Sequence, residues 1–198
     1  MWFKCVETGF LTENAYIFDC GDALCLVDPG AEADKIQAAA AEFHKPVRFI
    51  LLTHAHFDHV GAVRFFQKFG ARVFLHEGDK PVLNSDFTPD VWLKGGETLH
   101  LDGMSVMVLH TPGHTGGSVC YLADDVMFSG DTLFCLEIGR CDLPTGSFAD
   151  MKKSLKKLFS LAKNYRVLPG HGEETELYFE RENNPYYLDI EGSRSYKE

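Results

Sequence analysis

The sequence has 198 residues, 45% of them hydrophobic and 24% charged, the composition of a folded domain with one substantial core rather than of a disordered chain. Nineteen Lys and Arg against 29 Asp and Glu leave a net charge of −10, and no basic stripe stands out, which argues against nucleic acid as the main partner. No apolar run approaches the roughly eighteen residues that span a bilayer. Met1–Cys5 shows no basic region leading into an apolar stretch, so no membrane partner and a cytoplasmic location are expected.

In chain order, Ala15–Phe18 and Ala23–Val27 read as two strands around the hairpin turn Asp19–Asp22. An Ala-rich helix is predicted from about Glu32 to Phe43, with Pro46 just past its end. Val47–Leu52 reads as a buried strand, Thr53–His59 as a loop, about Val60–Phe69 as a helix closed by Gly70, and Ala71–Leu75 as a strand. Further strands are predicted at Thr98–Leu101, Ser105–His110, Ser118–Leu122 and Val126–Ser129, then a helix at about Phe148–Ala162, a strand at Arg166–Leu168 and a helix after Gly172. Lys152, Lys153, Lys156 and Lys157 fall at helical spacing and read as one solvated face. The pattern suits two sheets between helical layers in a single domain over 1–198, and by itself it fits either α/β or α+β. The six cysteines show no C-x-x-C pair and read as reduced and mostly buried, with Cys135 or Cys141 expected near the site.

The chemistry concentrates after the apolar strands. Thr53-His54-Ala55-His56-Phe57-Asp58-His59 places three imidazoles and a carboxylate within six residues. Neutral imidazoles are good nitrogen donors and Asp adds a hard anionic oxygen, so the cluster reads as a metal site. A closed structural zinc site would use cysteines, and none are nearby. His114, Asp131 and His171 each follow a later apolar strand, beside glycines that let backbones approach. The set suffices for two divalent cations: His54, His56 and His114 for one, Asp58, His59 and His171 for the other, with Asp131 bridging. Such a pair lowers the pKa of a shared water from 15.7 towards about 7 and stabilises an oxyanion on a carbonyl carbon. Asp58 and Asp131 are the residues expected to serve catalysis directly. Zinc is the expected metal, with iron or manganese as alternatives.

These segments, with His110-Thr111-Pro112-Gly113-His114-Thr115, Gly130–Phe134 and Leu168–Gly172, resemble the metallo-β-lactamase superfamily from about Asn14 to Pro185. The resemblance implies an αββα sandwich of that fold with the metals at one edge. Within the superfamily the sequence is most similar to glyoxalase II-like (hydroxyacylglutathione hydrolase-like) proteins, through Asp131 where the best-known β-lactamases use Cys and through Ile138–Pro144. Asp28 resembles the carboxylate that orients a ligand histidine, although a turn residue fits Asp-Pro-Gly equally well. Arg140 is a candidate for binding a substrate carboxylate, with a salt bridge to Asp142 as the alternative. Thr115 and Ser118 fit hydrogen bonding within the His114 loop or ordinary turn chemistry. His44 and His100 read as surface or packing residues and His110 as a strand-end residue; His76 also lies outside the ligand pattern. Full-length glyoxalase II enzymes add a C-terminal helical domain with a basic glutathione-binding surface, whereas residues 172–198 hold eight acids and three bases.

The expected function is therefore metal-dependent hydrolysis of an ester-type acyl bond, with a small-molecule thioester such as S-lactoylglutathione as the best single substrate. The alternatives are a persulfide dioxygenase-like enzyme with one iron at His54, His56 and His114, and a non-enzymatic metal-binding module. Oligomeric state is not legible in the sequence.

Overall fold

The computed structural model describes residues 2–84, 86–190 and 192, so the charges expected at Glu191, Arg194, Lys197 and Glu198 lie outside the described residues. Six strands form the first sheet in simple order: β1 (Phe3–Thr8), β2 (Glu13–Asp19), β3 (Leu24–Val27), β4 (Val47–Leu51), β5 (Arg72–His76) and β6 (Val91–Leu93). The first three are antiparallel and the last four run parallel. The parallel crossovers carry α1 (Ala33–Ala41), α2 (Phe57–Val60) and α3 (Val63–Lys68). The second sheet uses β7 (Thr98–Leu101), β8 (Met104–His110), β9 (Val119–Ala123), β10 (Val126–Gly130), β13 (Arg166–Pro169) and β14 (Thr175–Glu176), in the order β14-β13-β10-β9-β8-β7. A small ribbon of β11 (Leu133–Phe134) and β12 (Glu137–Ile138) leaves β10, α4 (Phe148–Phe159) crosses to β13, and α5 (Leu177–Asn183) and α6 (Pro185–Ile190) close the described chain.

Strand alternation builds the layers. In β2, Ala15 and Ile17 face one way and join Ile36, Ala40, Val63 and Phe66 of the helices over the first sheet. Tyr16 and Phe18 face the other way, meeting Tyr121 and Phe128 of the second sheet in the inter-sheet core. On the far side, Leu122 and Met127 pack under Met151, Leu155 and Leu158 of α4. Side chains of a strand alternate between its faces, so strands with core on both sides read as continuous apolar runs. The product is the expected α/β architecture, an αββα sandwich.

Local chemistry sets the boundaries. Ser147 caps α4 by accepting the Asp150 backbone N–H at 3.2 Å. Lys152, Lys153, Lys156 and Lys157 form its exposed face, as the spacing predicts. The helix ends at Phe159, short of the expected Ala162. The helix expected over 60–69 is instead two pieces, α2 and α3. Between them Ala62 N–H donates to the Pro29 carbonyl at 2.9 Å, and Gly61 lies so close to Gly30 that a Cβ would sit 2.3 Å from its oxygen. All six cysteines are free, and Cys20, Cys25 and Cys120 are buried. Among the described residues no helix is long and apolar enough to cross a membrane.

Candidate metal centre

The seven expected ligands converge on one edge of the sandwich. His54 and His56 leave the end of β4, and Asp58 and His59 sit on the single turn of α2. His114 comes from the β8–β9 loop, Asp131 follows β10 and His171 follows β13. Parallel strands end on the same side of a sheet, which is how residues so far apart in sequence meet.

The atoms fall into two groups. One nitrogen each of His54, His56 and His114 lie within 4.8 Å of one another, as do one donor atom each of Asp58, His59 and His171. His56 Nδ1 stands 2.8 Å from His114 Nε2. Asp131 spans the two groups: Oδ1 is 3.4 Å from His59 Nε2, while Oδ2 is 3.4 Å from His114 Nε2 and 3.7 Å from His171 Nε2. His54 Nε2, His59 Nε2 and Asp131 Oδ1 are buried without a hydrogen-bond partner. Buried polar atoms left unpaired cost about 1–3 kcal/mol each, and cations coordinated at these positions would remove that cost. The donor set therefore fits two divalent cations, and its mixture of imidazole and carboxylate accepts zinc, iron or manganese.

The far sides of the rings fix which nitrogen faces the centre. Asp28 accepts the Thr53 N–H at 2.7 Å and the Thr53 hydroxyl at 2.5 Å, and the same Oδ2 accepts His59 Nδ1–H at 3.0 Å. With its proton committed to Asp28, the Thr53 hydroxyl is free to accept from His54 Nδ1, 3.1 Å away. Asp28 thus takes the orienting role rather than that of a bare turn residue. A third donor grouping, Asp28 with His54 and His59, is ruled out as a ligand set because those carboxylate oxygens are already engaged. His114 Nδ1–H donates to the Arg140 carbonyl at 2.8 Å, and His171 Nδ1–H to the Leu11 carbonyl at 3.1 Å. Such partners fix tautomer and orientation of a metal-binding imidazole.

Electrostatics separates the two groups. Burial and neighbouring imidazoles drive His54 well below its ordinary value, and the same causes bring His56 down to about 4. Burial also works against a charged His59, yet Asp131 and Asp28 around it raise its imidazole to about 10. His171 is raised through its contact with Asp58. Without cations at pH 7, His59 is thus protonated, whereas His54 and His56 are neutral and ready to donate. Ligation takes the unprotonated ring, so filling the Asp58/His59/His171 group should release at least about one proton per chain, and His54 and His56 should release none. Calorimetric titration with Zn²⁺ in two buffers of different ionisation enthalpy measures this; equal apparent enthalpies throughout would contradict it. The sign for folding follows: the raised His59 stabilises the cation-free fold fully below 6.5, its ordinary value, and that contribution fades as pH rises through about 10.

Two buried carboxylates here have no signal in the sequence. Glu13 is fully buried on β2, accepts the Thr8 hydroxyl at 2.8 Å, and lies 3.9 Å from His59 Nδ1. Burial lifts it to about 9, which keeps it uncharged beside Asp28 and Asp58. Asp79, fully buried after β5, accepts the backbone N–H of Ala55 at 2.8 Å and of Gly117 at 2.7 Å. It therefore ties the His54–His56 loop of one sheet to the His114 loop of the other. Thr115 and Ser118 are bonded to each other within that loop, hydroxyl to hydroxyl at 2.8 Å. His110 stacks on His76 with centroids 4.0 Å apart and braces the loop by donating to the Gly116 carbonyl at 3.0 Å. His44 is exposed; His100 is also exposed and meets Ser105 at 3.2 Å.

Arg140 borders the site, but its guanidinium is engaged by both oxygens of Asp142 at 2.7 and 2.8 Å. The ion-pair alternative is the one observed. Neither Cys135 nor Cys141 lines the cavity over the ligands; Cys141 directly follows Arg140, which does line it, and its thiol faces the Gly139 carbonyl at 3.4 Å.

Comparison with known proteins agrees with this fold. The family model of the metallo-β-lactamase superfamily matches residues 8–171. The hydroxyacylglutathione hydrolase GloC of Haemophilus influenzae is 34% identical over 199 residues, covering 90% of this chain and 94% of that protein. Among solved structures, TTHA1623 in a di-iron-bound form superposes with a TM-score of 0.85 at 37% identity, covering 92% of this chain and 99% of that one. The BLEG-1 B3 metallo-β-lactamase gives a TM-score of 0.88 at 31% identity, covering 94% and 99%. With its ligand geometry and with a family match spanning most of its length, the chain belongs to the metallo-β-lactamase superfamily.

Proposed function

We propose that this protein is a dinuclear metallo-hydrolase that cleaves ester-type acyl bonds, thioesters foremost. The observation that carries the reading is the Asp131 carboxylate, whose two oxygens lie between two complete groups of donors. Two divalent cations bound there, proposed to be zinc with iron or manganese as alternatives, would supply Lewis acidity and an activated water. The chain's own contribution is positional. Asp28 and Thr53 hold His59 and His54 in the ligating tautomer, and the Arg140 and Leu11 carbonyls do the same for His114 and His171. Asp58 stays ionised, because His171 and His59 outweigh its burial and lower its carboxyl.

The likeness to GloC favours a thioester such as S-lactoylglutathione. The ion-paired Arg140 offers an anionic glutathione moiety little charge to bind, so the acyl centre is the firmer part of the substrate assignment. Elemental analysis of the purified protein alongside a thioester panel tests the proposal. Two metals per chain with thioester turnover are expected. One iron per chain, with oxygen consumed on glutathione persulfide, would instead establish the dioxygenase reading, and stoichiometric metal without any turnover the non-enzymatic one.

A further inference from the structure

Large apolar side chains are exposed beside the metal centre. At the β1–β2 hairpin tip Phe10 is 83% exposed and Leu11 43%, and Phe57, the residue before Asp58, is 63% exposed. Phe10 and Phe57 stack on each other, centroids 6.2 Å apart and planes 21° off parallel. Neither ring joins any of the three core clusters, so core packing does not account for the pair.

Phe57 lines the site itself, with Phe10 stacked behind it. A cavity of about 590 Å³ has ligands such as His56, Asp58 and Asp131 on its floor, and Leu11, Phe57, Leu143 and Pro144 on its walls. That volume lies within the usual range for small-molecule sites. Besides the histidines on its floor, the cavity is lined by Arg140, whose guanidinium is paired with Asp142. Beneath the hairpin tip the Glu32 carboxylate accepts the Gly9 N–H at 3.0 Å, adding negative rather than positive charge. A wall of this composition rewards burial of uncharged surface and offers nothing to an anion.

We infer that Leu11, Phe10 and Phe57 form an apolar specificity wall, and that the site takes thioesters whose acyl part is an uncharged alkyl or aryl chain. The inference rests on the hydrolase reading above and narrows its substrate class. Hydrolysis adds water across the C–S bond: oxygen joins the acyl carbon, the bond to sulfur breaks, and the sulfur leaves with a proton as the thiol. The chain on the acyl carbon lies along Leu11 and Phe57, and Phe10 backs Phe57 from the hairpin.

The experiment is a chain-length series on the metal-loaded protein, using N-acetylcysteamine thioesters with acyl groups of two to eight carbons and S-lactoylglutathione as the anionic comparator. Each buried methylene is worth about 0.8 kcal/mol, so kcat/KM should rise about fourfold per added methylene until the wall is covered. Phe10→Ala and Phe57→Ala should flatten that slope to less than about twofold per methylene, whereas a mere displacement of Asp58 would lower all members of the series alike and leave the slope unchanged. Calorimetric binding of butanoate through octanoate, the carboxylate products, gives a readout that needs no turnover and should show a similar dependence in Kd. Both rings are exposed, so the variants should keep the parent's thermal unfolding; Phe10→Ala, away from the ligands, serves if Phe57→Ala does not fold. Turnover or binding independent of chain length, or a preference for S-lactoylglutathione over the octanoyl compound, overturns the wall while leaving the hydrolase reading intact. Absent turnover with chain-length-dependent carboxylate binding does the reverse.

Discussion

Asp131→Ala is expected to lower kcat by about 10³-fold or more and to reduce bound metal from two ions per chain towards one. A single preorganised group that stabilises developing charge is commonly worth 10²–10³ in kcat, and Asp131 faces both groups of ligands at once. Its Oδ1 meets His59 at 3.4 Å and its Oδ2 meets His114 at the same distance. Removing the carboxylate also takes away negative charge that holds His59 protonated in the cation-free protein, so proton release on metal binding should shrink with it. Elemental analysis, steady-state kinetics and the two-buffer titration read these effects together. Retention of two metals with kcat within tenfold of the parent would remove Asp131 from the bridging role.

Gly170→Ala should cost about 10²-fold in activity with only a modest loss of stability. The glycine lies beside His171 with its backbone outside the left-handed region, so the effect is one of space. An added Cβ would sit 2.3 Å from Asp131 Oδ1 and 2.7 Å from His59 Cε1. Overpacking of this kind costs about 1–3 kcal/mol, and displacing a reactive group by an ångström can cost about 10²-fold in rate. The methyl forces two ligands aside together, so metal affinity should fall in parallel. Kinetics at saturating metal and a denaturant titration separate the two effects; activity within threefold of the parent would show that the ligand loops yield freely.

The clustering of the seven donors was legible because each falls just after an apolar strand, with glycines beside His114, Asp131 and His171. No other arrangement explains three histidines in six residues, and each strand run was long enough to read. The supporting residues were not legible for a physical reason. Glu13 and Asp79 are single carboxylates with no periodic partner; Glu13 is enclosed by Thr8, Gly30 and His59, and Asp79 by the Ala55 and Gly117 loops of the two sheets. β1 was missed because Phe3–Thr8 alternates as an edge strand with polar residues outward, and β6 because Val91-Trp92-Leu93 is too short to carry a pattern. The break between α2 and α3 is a tertiary effect: Pro29 and Gly30 draw Gly61 and Ala62 out of helical register, which no local propensity announces. Arg140 illustrates the converse. Its position beside the site was readable, but its pairing two residues on with Asp142 was one of two local possibilities until the loop's shape was known.

The Asp79 link between Ala55 and Gly117 bears on the order of folding. Ala55 belongs to the half of the chain that makes the first sheet and Gly117 to the half that makes the second, so neither half can complete a cation site before the two have docked. Metal then recognises the assembled native state rather than a partly formed one, and stabilises it by mass action. Interactions absent from the folding transition state slow unfolding without speeding folding. Cations should therefore act on this protein chiefly as a brake on unfolding, lengthening the lifetime of the native chain while its refolding rate stays that of the bare polypeptide.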